Sequence, residues 1–260
     1  MSQSDHITAR GFQHNRSSFV DGYVSSASSM MSVTQAANRD EGCQDALDHL
    51  VRALLAKRIF EPFVILDELR ERDLSLDTIV DLFIPRAACA LGQEWKDDEI
   101  SFADVTIGAM RLQALLDETM AQVDLDAALI DDRPQSLVVL PKGQQHFLGV
   151  NVIAAQLRRL GCGVSLSFDE SMGYLNARLK DEHPQLILIS CARRETLETV
   201  CETVQTIRAT LSDSPVIALG GGVLDEAENL KDRTGVDIVT RSVKDALAFY
   251  AHHDQALTGL

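Results

Sequence analysis

Three short segments of this chain carry residues that could hold a ligand together. They are Gln144-x-His146-x-x-Gly149, Ser190-Cys191-Ala192 and Gly220-Gly221-Gly222. A neutral imidazole such as that of His146 is a good donor to cobalt or iron. A serine hydroxyl can hydrogen-bond a polar group, and glycine lets the backbone come close to a neighbour. Loop histidines and glycine runs are common, so it is the order and spacing of the three segments, rather than any single residue, that indicates a ligand site.

Each segment follows a short apolar run that has the pattern of a buried strand. The runs are residues 137–140, 186–189 and 216–219. Because they alternate with helical stretches, we predict a parallel sheet that is covered by helices on both faces. In such a sheet, ligands bind beyond the carboxyl ends of the strands, near helix N-termini. The three segments are therefore expected at one edge of the sheet.

The residues before the sheet have the pattern of a helical bundle. Apolar residues recur at steps of three and four in the stripes Leu47-Leu50-Leu54-Leu55, Ile79-Leu82-Phe83-Ala90 and Val105-Ala109-Leu112-Leu116-Met120. Helix boundaries are expected near Gly42, at Glu61-Pro62, in the turn 72–75 and at Asp97-Asp98. We predict four helices packed as a bundle over residues 39–123.

Two polar stretches flank the bundle. Residues 1–38 are rich in Ser and poor in large apolar side chains, which favours a flexible arm. Within the arm, His6 and His14 are the groups with ligand chemistry. Residues 124–135 are acidic and contain a proline, which is typical of a linker. The domain with the three segments is placed at 136–255.

The composition of the chain limits the kinds of partner that it can bind. It has 260 residues, a formal charge of -15 and a pI near 4.8, which disfavours direct binding to nucleic acid. The pairs Arg158-Arg159 and Arg193-Arg194 are interpreted as solvated helix ends. The five cysteines form no Cys-x-x-Cys, which suggests a reducing compartment. No apolar run approaches the roughly 20 residues that span a bilayer, so we expect a soluble cytoplasmic protein without a membrane partner.

In order and in register, the three segments resemble the B12-binding domain of cobalamin proteins, whose pattern reads Asp-x-His-x-x-Gly, Ser-x-Leu, Gly-Gly. Gly149 and Ser190 have 40 residues between them, and Ala192 and Gly220 have 27, both close to the separations in that family. The resemblance covers residues 136–255. It implies an α/β fold with a Rossmann-like (flavodoxin-like) parallel cobalamin-binding domain.

The resemblance also implies a role for each matched residue. His146 would be the lower axial ligand of cobalt and would replace the nucleotide base of cobalamin. Gly149 would leave room for the displaced nucleotide tail, and Ser190 would hydrogen-bond its base. Gly220 and Gly221 would let the backbone approach the nucleotide.

The bundle resembles the four-helix cap that covers the upper face of the corrin in many cobalamin proteins. The matching stretch is Leu91-Gly92-Gln93-Glu94-Trp95 followed by Ile100-Ser101-Phe102-Ala103, which implies that Trp95 lines the pocket. Light-sensing repressors that bind adenosylcobalamin have Glu-His where this chain has Val105-Thr106. The upper ligand would then be water or a group from elsewhere. His6 or His14 could supply it if the arm docks as a switch.

Two residues depart from the family pattern. Gln144 stands where the enzymes have an aspartate that accepts the imidazole N–H, and Ala192 stands where leucine is usual. An uncharged Gln144 could orient His146, but it favours sensing over methyl transfer. We therefore expect a protein that is not an enzyme.

Cap, linker and binding domain together resemble the AerR/PpaA antirepressors of photosynthesis genes in purple bacteria. This resemblance implies a cobalamin-binding, light- or redox-responsive regulator that acts on a transcriptional repressor of the CrtJ/PpsR type. Three alternatives stay open. A single histidine with an open opposite face also suits haem. The chain could instead be the corrinoid component of a methyltransferase system, or a scaffold that binds no tetrapyrrole.

Overall fold

The computed structural model describes residues 36–122, 134–144 and 147–258. Most of the predicted arm and linker lies outside the described residues, as do His6, His14 and His146. The helices are α1 (Ala36–Leu55), α2 (Pro62–Arg70), α3 (Leu76–Thr78, Ile79–Phe83 and Ile84–Lys96 in succession), α4 (Phe102–Ala121), α5 (Phe147–Arg159), α6 (Met172–Glu182), α7 (Leu197–Thr210), α8 (Val223–Glu226), α9 (Leu230–Thr234) and α10 (Val243–Thr258). The strands are β1 (Gln135–Leu140), β2 (Gly163–Phe168), β3 (Leu186–Ser190), β4 (Val216–Gly220) and β5 (Ile238–Val239).

Helices α1 to α4 form the predicted bundle around one apolar core. Buried residues of this core include Leu50, Leu66, Phe83 and Leu112, one from each helix. The turns before α3 and α4 contain Asp73 (φ 59°) and Asp98 (φ 58°) in the left-handed region, which aspartate tolerates better than most residues. No described helix combines the length and the apolar composition that crossing a membrane requires.

The first helix begins earlier than the sequence predicts. We expected a boundary near Gly42, but α1 starts at Ala36 and runs through this glycine. A glycine inside a helix costs only about 1 kcal/mol relative to alanine. The apolar stripe that follows it, which packs against the other cap helices, compensates for that cost.

Helix α3 contains a π-helical turn that the apolar stripe does not predict. The N–H of Ile84 bonds the carbonyl of Ile79, five residues back, within the π segment Ile79–Phe83. Pro85 explains the turn, because it has no N–H to donate and its ring would collide with the carbonyl of Asp81 in a regular α-helix. The wider turn rotates Leu82 out of the predicted stripe, and Leu82 is 39% exposed.

The sheet has five parallel strands in the order β2-β1-β3-β4-β5, which is the flavodoxin-like order. Alternate residues of the central strands face opposite cores. Leu137, Ile187 and Ile217 pack with α6 and α7, whereas Val138, Leu188 and Ala218 pack with α5 and α10. Burial on both faces accounts for the continuous apolar runs, and the predicted fold class is confirmed.

Helix α5 lies between the sheet and the cap. Its residues Val150 and Leu157 belong to a sheet core, whereas Val152 and Ala155 belong to the cap core. At its last residue, the prediction of a solvated Arg159 is wrong. The Arg159 side chain is only 8% exposed because it forms ion pairs with aspartates of α3.

Candidate functional site

The loops after β1, β3 and β4 are hydrogen-bonded to one another at the carboxyl edge of the sheet. The Gln144 side chain accepts a hydrogen bond from the Ala192 N–H at 2.8 Å. The Cys191 N–H donates to the Gly220 carbonyl at 2.9 Å, and the Val223 N–H donates to the Cys191 carbonyl at 3.1 Å. The expected meeting of the three segments is therefore observed through Gln144, Cys191-Ala192 and Gly220.

Gln144 occupies the centre of this arrangement. Its side chain is buried, with 6% of the residue exposed, and Oε1 is occupied by the Ala192 N–H. Its Nε2 is also buried and has no hydrogen-bond partner among the described residues. An unpaired buried donor costs about 1–3 kcal/mol. In this orientation the unpartnered group of Gln144 is the donor Nε2, whereas the aspartate of the family pattern has two oxygens that only accept.

The glycines of the third segment are required by backbone packing within the protein. Gly221 has φ +99°, and a Cβ there would collide with the Cys191 carbonyl. A Cβ on Gly220 would lie 2.9 Å from the Thr240 carbonyl oxygen. Gly149 differs, because a Cβ there would meet nothing within 4 Å. Space is therefore open beside Gly149, where the sequence predicts a ligand tail.

A groove lies beside these loops on the side of the sheet that α5 and α10 cover. It is lined by Ile153 of α5, by the ends of β3 and β4 with Gly220 and Gly221, and by residues 240–243. Ser190 ends β3, is buried, and pairs in register with Gly220. The groove has a volume of about 50 Å³, well below the roughly 300–1,000 Å³ of a typical small-molecule pocket. It must widen before it can hold a nucleotide base.

The cap contributes an exposed apolar surface. Trp95 is 41% exposed and meets Phe102 edge-on, with ring centroids 6.2 Å apart. Phe102 and Met110 of α4 are also exposed. They share a helix face with Gln113, which accepts a hydrogen bond from Asn151 of α5 at 2.8 Å. The exposed row of the cap therefore lies on the side of α4 that meets α5.

The position of the family's upper-face histidine is occupied by Thr106. Thr106 is exposed, and its hydroxyl donates to the Phe102 carbonyl at 2.8 Å. Val105, beside it, is half-buried. Neither residue offers a nitrogen ligand to the upper side of a bound ring, and the candidates named for that role, His6 and His14, lie outside the described residues.

Titratable groups at the edge of the site are held by local contacts. Burial, together with the nearby Glu99, raises the pKa of Glu94 beside Trp95. A hydrogen bond from Arg241 lowers the pKa of the Asp225 carboxyl, and the two side chains form a bidentate pair at 3.0 and 2.5 Å. Arg241, which lines the groove, is therefore already paired with the Asp225 carboxylate. In the described parts of the chain, no three His, Cys, Asp or Glu side chains form a metal cluster.

The structure brings together Gln144, Ser190, Gly220 and Gly221, and it places Gly149 in the first turn of α5 and Trp95 in the cap. Sequence reasoning missed the loop 240–243 as a groove wall and the aromatic contact between Phe147 and Phe168, whose ring centroids are 5.6 Å apart. Loop 240–243 follows β5, so its position after a strand was the available signal. Phe147 and Phe168 carry no local signal, because their pairing depends on the register of β1 with β2.

A flavodoxin-like sheet with a groove at its carboxyl edge and a helical cap against one flank defines a class of capped cofactor-binding proteins. Residues 135–249 match the family model described as B12 binding domain. The match covers the α/β domain, and the predicted resemblance of this domain to the B12-binding domain is confirmed.

Two proteins illustrate what the chain is similar to. A Rhodobacter capsulatus protein described as an uncharacterized 20.5 kDa protein in the bchF-crtJ intergenic region is 29% identical over 180 residues, which are 69% of this chain and 94% of that protein. The solved structure of the Methanosarcina barkeri monomethylamine corrinoid protein superposes with a TM-score of 0.62 at 13% identity. That superposition covers 80% of this chain and 96% of the other, and it shows a shared fold.

The chemistry of the described residues fits a corrinoid with a nucleotide tail, and the groove must widen to admit that tail. The buried, unpartnered Nε2 of Gln144 needs an acceptor, the space beside Gly149 is open, and an apolar groove follows β3 and β4. Together with the family match, these features support a corrinoid as the ligand class. His146, the predicted lower ligand, lies outside the described residues.

Proposed function

We propose that this protein binds a cobalamin and acts as a light- or redox-responsive antirepressor on a transcriptional repressor of the CrtJ/PpsR type. The observation that carries the binding proposal is the hydrogen-bonded meeting of Gln144, Ala192 and Gly220 beside a groove, within a B12-binding domain. The regulatory proposal is supported by the Rhodobacter capsulatus relative, whose name places its gene beside crtJ.

In the proposed complex, His146 would hold the cobalt, and haem is the rival group for the same residue. When bound, the corrinoid would supply a bond at cobalt that light or ligand exchange can alter. Gln144 holds the loop before α5 against the loop after β3 and presents its free N–H to the bound group. The groove at Gly220 and Gly221 receives the nucleotide tail, and the apolar surface around Trp95 excludes water from the upper face.

The proposal describes a regulator, and the alternative is a corrinoid component of a methyltransferase. The fold shared with the monomethylamine corrinoid protein fits that alternative. Gln144 argues against it because its amide is uncharged and its Oε1 already accepts from the Ala192 N–H. An aspartate at this position would accept the imidazole N–H and, through its negative charge, increase the basicity of the ligand.

The test of binding is the absorption spectrum of the purified protein after separate incubation with hydroxocobalamin, adenosylcobalamin and haem. We expect retained corrinoid bands that change on illumination, and we expect His146→Ala to abolish retention. His252→Ala is the matched control, since His252 is exposed on α10. Unchanged retention by His146→Ala would refute ligation by this residue. Retention of haem alone would show that haem is the cofactor. Retention of neither group would favour the alternative that the protein is a scaffold that binds no tetrapyrrole.

The regulatory role is tested with a purified CrtJ/PpsR-type repressor bound to operator DNA. We expect the cobalamin-loaded protein to bind the repressor and release it from DNA, with an effect that depends on light or on the redox state. Formation of methylcobalt with a methyl donor and a partner enzyme, without any effect on the repressor, would select the methyltransferase alternative.

A further inference from the structure

Arg159 has a nearly buried side chain that joins the B12-binding domain to the cap through polar contacts, whereas the Asp77 side chain is 77% exposed and that of Asp81 30%. Arg159 is the last residue of α5, and its side chain is 8% exposed. Nη1 lies 3.0 Å from Oδ1 of Asp77, and Nη2 pairs with Oδ1 of Asp81. The same guanidinium donates to the Leu76 carbonyl at 3.4 Å. All three partners belong to the first turns of α3, so one arginine of the α/β domain is held by one short stretch of the cap.

The partner stretch includes the π-helical turn of α3. Asp81 lies within Ile79–Phe83, and its second oxygen, Oδ2, is 3.9 Å from Nζ of Lys244 on α10. Single π turns inside α-helices occur often at functional sites. Asp81 therefore connects this turn of the cap to both helices that cover this face of the sheet.

Helix α5 connects that turn to the cofactor loop. It begins at Phe147, directly after the loop that carries Gln144, and it ends at Arg159, about 18 Å away at 1.5 Å per residue. Val152 and Ala155 pack into the cap core along its length, and Val150 and Leu157 pack onto the sheet. A rotation or shift at the N-terminus of this packed helix therefore moves the Arg159 guanidinium.

We propose that Arg159 is a positioning residue that couples occupancy of the groove to the π turn of the cap through its contacts with Asp77 and Asp81. The inference rests on the proposed cobalamin binding. The groove of about 50 Å³ must widen to admit a nucleotide, and α5 supplies one of its walls through Ile153. Widening displaces α5, and Arg159 transfers that displacement to α3. Because coupling between two sites is reciprocal, loss of the Arg159 contacts also changes cofactor affinity.

The experiment is hydrogen exchange measured by mass spectrometry on the full chain, with and without hydroxocobalamin. It compares the wild type with Arg159→Met and with the matched control Arg158→Met, since the adjacent Arg158 makes no ion pair with a described residue. In the wild type and in Arg158→Met, loading is expected to slow exchange in peptides covering residues 76–91 by about tenfold. In Arg159→Met this cap response is lost, while the slowing in loops 141–144 and 190–193 persists.

The outcomes separate the two proposals. If the wild type takes up no hydroxocobalamin, the proposed function fails and the coupling fails with it. If uptake is normal and Arg159→Met keeps the full cap response, only the coupling is overturned. Arg159→Lys serves if the methionine variant does not fold, since lysine keeps the charge but lacks the planar fork that reaches both aspartates. A full cap response in Arg159→Lys that persists when Asp77 and Asp81 are both changed to Asn also overturns the coupling.

Discussion

The Gln144 amide has one atom bonded to the Ala192 N–H and the other buried without a partner. In Gln144→Met, the lost acceptor destabilises the protein, but the unpaired donor is removed as well. These effects are of the same size, about 1–3 kcal/mol each. We therefore expect the free energy of unfolding in urea to change by less than about 1 kcal/mol. Hydroxocobalamin affinity, measured by absorption titration, should fall roughly three- to tenfold because the ligand loses a donor.

A suitable control for this variant is Gln156→Met. Gln156 lies on α5 and is half-buried, so it repeats the chemical change outside the groove. Affinity that is unchanged in both variants would show that Nε2 of Gln144 makes no bond to the cofactor. A large loss of stability in Gln144→Met alone would show that the bond to Ala192 outweighs the unpaired donor.

Gly221 and Gly149 offer a matched pair of alanine substitutions. Gly221→Ala forces a side chain onto φ +99° and against the Cys191 carbonyl, so the free energy of unfolding should fall by about 2 kcal/mol or more. Gly149→Ala adds a methyl group to open space within a helix, where alanine is favoured by up to about 1 kcal/mol. Urea denaturation should show a loss for the first and none for the second.

The same pair separates folding from binding. If Gly149 borders the tail of the cofactor, Gly149→Ala should weaken hydroxocobalamin retention although the protein is as stable as the wild type. Full retention by this variant would place the tail elsewhere.

At the scale of elements, the start of α4 depends on pH through its capping box. The Asp104 carboxylate accepts hydrogen bonds from the hydroxyl and the N–H of Ser101, and these bonds lower its pKa from the ordinary 3.8. The pKa is lower in the folded chain than in the unfolded one. The stabilisation is therefore fully present above pH 3.8 and is lost as the pH falls through the lowered value.

Asp104→Asn should consequently be less stable than the wild type at pH 7, and the difference should shrink on acidification below pH 3.8. Urea denaturation of both proteins across this range measures the difference. A difference in the free energy of unfolding that stays constant with pH would mean that the charge of Asp104 contributes nothing to the capping box of α4.

Elements whose pattern is local could be predicted from the sequence, and contacts between distant elements could not. The strand runs, the bundle stripes and the loops after β1, β3 and β4 follow from periodicity and from the geometry of parallel sheets. The π turn depends on how Pro85 is accommodated inside an otherwise helical pattern. Arg159 is an exposed helix end by sequence, and only the packing of α5 against α3 brings it to Asp77 and Asp81. The bond between Gln144 and Ala192 likewise requires the spatial order of the strands.

At the scale of the whole molecule, the shared core predicts that cap and α/β domain unfold together. Val152 belongs to α5 but is buried in the cap core. Val152→Ala should lower the free energy of unfolding by roughly 2 kcal/mol. The loss should be the same whether unfolding of the cap or of the α/β domain is followed. Trp95 is the only tryptophan, so its fluorescence reports on the cap, and hydrogen exchange of β1 and β3 reports on the sheet.

Val216→Ala, in the sheet core, is the matched variant for this test. Coincident transitions of both probes in both variants would confirm a single cooperative unit. A shift of the Trp95 transition alone in Val152→Ala would show that the cap melts independently.

The narrow groove has a consequence for timing. If a groove of about 50 Å³ opens only rarely to a nucleotide, the apparent affinity is reduced by the fraction of molecules that are open. The same rare opening limits both uptake and escape of the cofactor. We therefore expect slow exchange once the protein is loaded, so occupancy would record the past supply of cobalamin. Fast responses to light or redox state would then come from changes at cofactor that is already bound. Occupancy would report the earlier supply of cobalamin, while the bound cofactor responds to the present light or redox state.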